Sequence, residues 1–184
     1  MRGIVRGATA MVSASLAFAS IGGTATAAVT DSTQTGFQIE QTVHITAPPD
    51  VVYAALIVPA KWWSSNHTFS GSAANLRLEA RGGGCFCESW PDGSVQHATV
   101  VDAEPGKTLR LRGPLGPFQG HGVDSALTFT LKAAGDGTDL LLDNSVGGYM
   151  KGGFGKWPGL ADMMLAEQMF RLKQFIETGS PKSH

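Results

Sequence analysis

Charged residues are scarce in this sequence, and neither sign dominates. Only 16% of the 184 residues are charged, with 14 Lys and Arg against 15 Asp and Glu. Because neutralising phosphates requires a basic excess, no nucleic-acid partner is expected. Only two cysteines occur, which excludes a disulfide-rich scaffold.

The sequence also lacks an apolar run long enough to cross a membrane, for which about 18 or more residues are needed. Residues 8–21 form a weakly apolar, uncharged stretch after Arg2 and Arg6, and small residues at Ala25 and Ala27 suit a signal peptidase. We therefore predict a signal peptide over residues 1–27, cleaved after Ala27. The mature protein is then expected to be exported, periplasmic or extracellular, without stable membrane insertion.

What the sequence does contain, after this segment, is a series of strand patterns separated by turns. Residues 28–36 are polar and aperiodic, and we predict a disordered leader there. Apolar and polar residues alternate strictly from Phe37, which predicts a half-buried strand. Two short helical segments follow, and then six strand-like runs separated by turns rich in glycine, as in an antiparallel meander.

The last element is a long helix, predicted over Pro158–Thr178 and followed by a tail over residues 179–184. Its apolar stripe has helical spacing and consists of Leu165, Met169, Leu172 and Ile176. An antiparallel sheet with one apolar face must cover that face, and only this helix is long enough to do so.

This order of elements resembles the helix-grip fold of the START-like (SRPBCC) superfamily, which includes polyketide cyclase-like proteins and chaperone-ATPase-activator homology domains. The resemblance is carried by residues 45–56, Trp62-Trp63, the turn at residues 82–84 and residues 171–177. It implies an α+β domain over residues 37–178. In that fold a curved antiparallel sheet of about seven strands wraps around the C-terminal helix, with two short helices after the first strand.

The resemblance also implies an apolar cavity between sheet and helix that holds a lipid, a polyketide or another small hydrophobic molecule. Apolar walls with a few polar groups are the usual form of such a site. We expect no cofactor, and whether the protein forms a homodimer stays open. The candidate lining residues are Trp63, Phe69, Phe86, Glu88, Leu109, Leu111, Phe118, Phe129, Tyr149, Trp157, Met163 and Met164.

The two cysteines, Cys85 and Cys87, stand two residues apart in a predicted strand. Regular strand geometry separates such residues by about 6.5–7 Å, so we predict no disulfide unless a bulge intervenes. A three-residue turn would set a register with Trp90 opposite Ser94, Glu88 opposite Gln96, Cys87 opposite His97, and Cys85 opposite Thr99. Cys85, Cys87 and His97 would then share a face as candidate metal ligands, with His121 within reach if its loop folds over, or the thiols could be reactive or inert.

Glu88 would face the opposite side, toward the cavity, and is the best candidate for orienting a ligand. Burial would raise its pKa and suit it to acid–base work. The leading hypothesis is an exported protein that binds a small hydrophobic ligand without transforming it. The alternative is a cyclase- or dehydrase-like enzyme that uses Glu88, with His67 or Tyr149. A chaperone-binding module is disfavoured by export.

Overall fold

The computed structural model describes residues 26–181, which form an eight-stranded antiparallel sheet and two α-helices. The strands are β1 (Thr26–Ser32), β2 (Gly36–Ile45), β3 (Leu76–Leu78), β4 (Cys85–Trp90), β5 (Gly93–Glu104), β6 (Thr108–Arg112), β7 (Gly122–Ala134) and β8 (Gly137–Tyr149). The helices are α1 (Pro49–Leu56) and α2 (Trp157–Thr178), with short 3-10 turns at Pro59–Lys61, Ser65–His67, Ala73–Asn75 and Gly116–Gly120. The strand order is β1-β2-β8-β7-β6-β5-β4-β3. The predicted α+β helix-grip fold is confirmed.

The disordered leader predicted over residues 28–36 is wrong for residues 28–32, because they belong to β1. This strand pairs with β2 from Thr26 opposite Thr42 to Ser32 opposite Phe37. An edge strand needs only backbone hydrogen bonds on one side, so polar, aperiodic side chains do not prevent it from forming. The sheet therefore has eight strands rather than about seven. Apart from Thr26 and Ala27, the predicted signal peptide lies outside the described residues.

The alternation that predicted β2 is realised as one face against the core and one toward solvent. Phe37, Ile39, Val43 and Ile45 are buried. β2 pairs with β1 on one side and with β8, the last strand, on the other. The pairing with β8 places the end of that strand, which leads into α2, beside the start of β2.

Helix α2 covers the inner face with the predicted apolar stripe. Leu165, Met169 and Leu172 are almost completely buried, and Ile176 packs at the edge of the core. Gly179 ends the helix in the left-handed conformation (φ 77°), which favours glycine, and donates its N–H to the carbonyl of Phe175. No helix among residues 26–181 is both long and apolar enough to cross a membrane.

Two polar side chains attach α2 to the segment that follows α1. The buried Gln168 accepts a hydrogen bond from the Ser64 N–H at 2.8 Å, and Arg171 donates to the carbonyls of Trp62 (2.8 Å) and Trp63 (3.3 Å). The helix is thus fixed to the tryptophan segment on one side and to the sheet on the other. The space enclosed between them is the candidate site.

Candidate ligand cavity

A cavity of about 670 Å³ lies between the inner face of the sheet and the first half of α2. The loops that complete its walls are residues 66–69 and residues 115–118. Phe69, Leu160 and Met163 line it and are also exposed, so they mark its mouth. A volume of this size suits a small organic ligand.

Seven of the twelve predicted lining residues are at this cavity: Trp63, Phe69, Phe86, Phe118, Trp157, Met163 and Met164. They come from the segment after α1, from β4, from the 116–120 turn and from the start of α2. Among them, Phe118 and Trp157 pack edge to face, with ring centroids 5.5 Å apart. The predicted aromatic and methionine lining is therefore largely present.

Four predicted lining residues lie elsewhere. Leu109, Leu111 and Phe129 surround only a small void of about 20 Å³ at the closed end of the interior, where Leu56 and Trp62 cover them. Tyr149 is 73% exposed at the end of β8. The first three do face inward, as the alternation predicts, but α1 and Trp62 occupy the space beside them, so they do not border the cavity.

The turn between β4 and β5 is one residue shorter than predicted, so Trp90 pairs with Gly93. Cys87 consequently lies opposite Gln96 and not opposite His97. His97 is the extra residue of a β-bulge, and the shorter turn places it on the inner face, where it is 6% exposed. The predicted pairing of Cys87 with His97 is wrong.

Beyond the bulge the predicted register holds again, with Cys85 opposite Thr99. The short turn and the extra residue shift the register by one position in opposite senses, and the two shifts cancel. Phe86 and Glu88 face inward, as predicted, and so does Ala98.

Cys85 and Cys87 form a disulfide, which the sequence predicts only if a bulge interrupts the strand. Their Cα atoms are 5.4 Å apart, closer than in a regular strand and within the usual disulfide range. The change of register beside Cys87 is the irregularity that the prediction required. Because both sulfurs are bonded to each other and His97 is on the opposite face, the proposed metal ligand set is not assembled. The other candidate, His121, is exposed at the end of its loop.

Glu88 is completely buried but does not itself line the cavity. Its carboxylate accepts hydrogen bonds from the N–H groups of Phe69 (3.0 Å) and Ser70 (2.5 Å) and lies 3.1 Å from Nε2 of His97. Burial alone would raise the pKa of Glu88, but hydrogen bonds from Ser70, Phe69 and His97 outweigh it and lower the pKa. Glu88 is therefore an ionised anchor, not the acid of raised pKa that the sequence suggested.

The group that faces the cavity is His97, whose ring lies between two aromatic walls. Its centroid is 5.0 Å from that of Phe86 and 5.8 Å from that of Phe69. Burial lowers the pKa of His97 more than the hydrogen bond and charge of Glu88 raise it. The imidazole is thus neutral at pH 7, donating from Nε2 to Glu88, so its Nδ1 is left as an acceptor.

Two further titratable groups meet at the mouth. His67 Nε2 lies 3.0 Å from a carboxylate oxygen of Glu167, so a hydrogen bond joins the 65–67 turn to α2 beside the opening. His67, one of the predicted acid–base partners, lines the cavity near its rim. It is well separated in the chain from Glu88 and makes no hydrogen bond with it.

Sequence reasoning missed two buried polar residues of the inner wall, Ser125 on β7 and Asn144 on β8. Each occupies an inward position between apolar neighbours, as Asn144 does between Leu142 and Val146. A polar residue in the buried phase of an otherwise apolar alternation is the signal that could have found them.

Comparison with known proteins supports the architecture. The sequence model of the family described as polyketide cyclase / dehydrase and lipid transport matches residues 36–175. No curated protein has significant sequence similarity to the chain.

Solved structures with a similar fold include a conserved protein of unknown function from Enterococcus faecalis, with a TM-score of 0.53 at 18% identity over 87% of this chain and 82% of that one. A protein of Bacillus halodurans has a TM-score of 0.54 at 22% identity, over 78% and 99% of the two chains. DynU16, from the dynemicin biosynthetic locus, has a TM-score of 0.57 at 22% identity over 80% of this chain, which spans about half (49%) of DynU16. At these identities the shared property is the fold.

The pKa of His97 and that of His44 shift in opposite directions and predict opposite pH dependences of stability. The pKa of His97 is lowered, so its contribution is present above the ordinary value of 6.5 and is lost as the pH falls through the folded-state pKa. Hydrogen bonds with Asp139 and Asp136, the former the larger cause, raise the pKa of His44 against the opposing effect of burial, so its contribution is lost as the pH rises through the folded-state pKa.

Urea unfolding of the wild type, His97→Gln and His44→Gln from about pH 5 to about pH 8 measures both effects. The excess stability of the wild type over His97→Gln should grow with pH, whereas its excess over His44→Gln should shrink. If the two stability differences changed with pH in the same direction, the opposite pKa shifts of His97 and His44 would be contradicted.

Proposed function

The chain belongs to the polyketide cyclase / dehydrase and lipid transport family, and we propose that it binds one small hydrophobic molecule, lipid or polyketide-like, in the cavity beneath α2. The observation that carries this proposal is a pocket of about 670 Å³, open at its mouth and lined mainly by aromatic and aliphatic side chains. Filling it with an apolar ligand removes that lining from water, which is favourable by about 25 cal/mol per Å².

The mouth supports entry by an apolar molecule. Phe69, Leu160 and Met163 are exposed there, although exposure of large apolar side chains is unfavourable in water. Met163 and Met164, both flexible, lie on the first turns of α2 and suit a wall that adapts to its guest. The wall can therefore accommodate a range of shapes within one hydrophobic class.

Occupying part of the cavity with protein atoms should weaken ligand binding. Val146 lines the cavity and is buried, whereas Val101 is half exposed on β5, so the two valines offer a matched pair. Val146→Phe should weaken binding of the fluorescent dye 1-anilinonaphthalene-8-sulfonate about tenfold or more, and Val101→Phe should leave it unchanged.

Fluorescence titration measures both dissociation constants, and circular dichroism shows that each variant is folded. Should Val146→Phe fail to fold, Ala161→Leu, on the helical side of the same cavity, replaces it. Equal dye affinity in the wild type and in a folded filled variant would contradict binding in this cavity.

A second candidate, an acid–base enzyme of the cyclase or dehydrase kind, is favoured by the hydrogen bond between His97 and Glu88. The buried carboxylate orients the ring, and the neutral imidazole can accept a proton at Nδ1 from a carbon or oxygen of the ligand and return it. In this reading His97 is the base, and Glu88 is a positioning residue.

The enzyme hypothesis predicts different effects of one substitution on rate and on binding. With a β-hydroxyketone as substrate and enone absorbance as readout, His97→Gln should slow dehydration about 100-fold or more, while dye affinity stays within about twofold of the wild type because the apolar lining is intact. Equal rates in the two proteins would contradict a catalytic role for His97.

We further propose that the protein is exported after cleavage behind Ala27. The positive start at Arg2 and Arg6 and the small residues before the site support this, as does the Cys85–Cys87 disulfide, since such bonds persist in oxidising compartments. Cleavage there would retain β1 from Ala28 onward. Protein purified from its host should begin at Ala28 and contain no free thiol when unfolded without reductant. An intact N-terminus or two free thiols would contradict the proposal.

A further inference from the structure

Three polar side chains lie on the wall that the sheet contributes to the cavity. His97 on β5, Ser125 on β7 and Asn144 on β8 all line the space, and each is at least 94% buried. Around them the lining is apolar, with Val146 and Leu165 among the neighbours. We call these three residues the inner polar strip.

The strip crosses the sheet because the register brings its members to the same end of their strands. Ser125 lies opposite Val146 on β8, two residues beyond Asn144, so the two polar side chains are diagonal neighbours on the inner face. The Ser125 hydroxyl donates a hydrogen bond to the carbonyl oxygen of Gly113, the residue after β6 (2.7 Å).

Gly113 also fills the place between Ser125 and His97. A Cβ atom at Gly113 would stand 3.1 Å from the carbonyl oxygen of His97, and its φ of 135° lies in the region that favours glycine. Between β5 and β7, about 10 Å apart at ordinary strand spacing, the wall therefore presents backbone rather than a side chain.

The strip has hydrogen-bonding capacity that the described residues do not use. No hydrogen bond joins the Asn144 amide to any group within residues 26–181, and its Oδ1 is wholly buried without a partner. Ser125 donates its proton to Gly113, which leaves its oxygen as an acceptor, and Nδ1 of His97 has no partner in the same range. A buried polar group without a partner is destabilising, so a ligand atom that pairs with it gains affinity.

We propose that the inner polar strip is an oxygen-recognition subsite, which selects rigid apolar ligands bearing hydroxyl or carbonyl groups on the face that lies against the sheet. Oδ1 of Asn144 accepts from a ligand hydroxyl and its NH2 group donates to a carbonyl oxygen, and Ser125 and His97 accept from hydroxyls. An acyl chain carries its polar atoms at one end only and cannot pair with groups spread from β5 to β8. This inference rests on the proposed function, because it assigns polarity to a ligand in the same cavity.

Two probes with one tricyclic skeleton test the inference, namely 1,8-dihydroxyanthraquinone, which has hydroxyl and carbonyl groups, and anthracene, which has neither. Wild-type protein should bind the oxygenated probe about tenfold or more tightly than anthracene, measured by quenching of tryptophan fluorescence. Asn144→Leu, which keeps the side-chain size, should bring this preference close to unity by weakening the oxygenated probe alone. Palmitate should displace neither probe from the wild type at equal concentration.

Asn66→Leu is the matched control, since Asn66 lines the same cavity but is exposed at its mouth, and it should keep the wild-type preference. Without ligand, Asn144→Leu should unfold at a higher temperature than the wild type, because it removes an unpaired buried amide. Ser125→Ala provides a second variant with the same expected loss of preference.

An unchanged preference in folded Asn144→Leu and Ser125→Ala would overturn the subsite. Equal binding of both probes to the wild type, or displacement of both by palmitate, would do so as well, while leaving the cavity as a binding site. Failure of the wild type to bind any of the three compounds would instead contradict the proposed function itself.

Discussion

The buried carboxylate of Glu88 joins three parts of the chain. Glu88 belongs to β4, and it accepts hydrogen bonds from the N–H groups of Phe69 and Ser70, in the loop beside the cavity mouth, and from Nε2 of His97 on β5. A carboxylate can only accept hydrogen bonds, and every described neighbour is a donor to it, so the charge is stabilised despite complete burial. One side chain thus fixes the entrance loop, the edge of the sheet and the orientation of the imidazole that borders the cavity.

The short turn and the β-bulge beside it together make this arrangement possible. The turn places Gln96 opposite Cys87 on the outer face, so regular alternation turns the next residue, His97, inward beside Glu88. The bulge then turns Ala98 inward as well, and the register recovers in time for Cys85 to meet Thr99. The change of register lies beside Cys87, one of the two cysteines of the disulfide on the outer face.

The cavity combines an adaptable roof with a fixed wall. Helix α2 supplies Leu160, Met163 and Met164 at the mouth, while the sheet supplies an apolar surface interrupted only by the inner polar strip. Gln168 and Arg171 attach α2 to the segment that contains Trp62 and Ser64, so the helix is fixed on one side of the cavity. In the proposed function, affinity for a hydrophobic guest and selectivity for its oxygen atoms come from different sides of the same space.

Much of this protein follows from local periodicity. The alternation from Phe37 predicts β2, and the apolar stripe from Leu165 to Ile176 predicts the covering helix. The inward orientation of Phe86 and Glu88 is also predicted correctly. All three features depend only on residues that are close together in the chain. Strand β1, by contrast, exists because β2 offers it an unpaired edge, which nothing within its own polar residues reveals.

Other features were decided only by the tertiary structure. The bulge at His97 depends on how the short turn fits β5 to its partner strand β4. The Asn144 side chain lacks a hydrogen-bond partner within residues 26–181 because the fold brings no polar group of that range within hydrogen-bonding distance of it. The cavity is the volume left between α2, β8 and the loop of residues 66–69 once they have packed together. No single residue encodes that volume, because it is set by the separation of elements that meet only after the chain has folded.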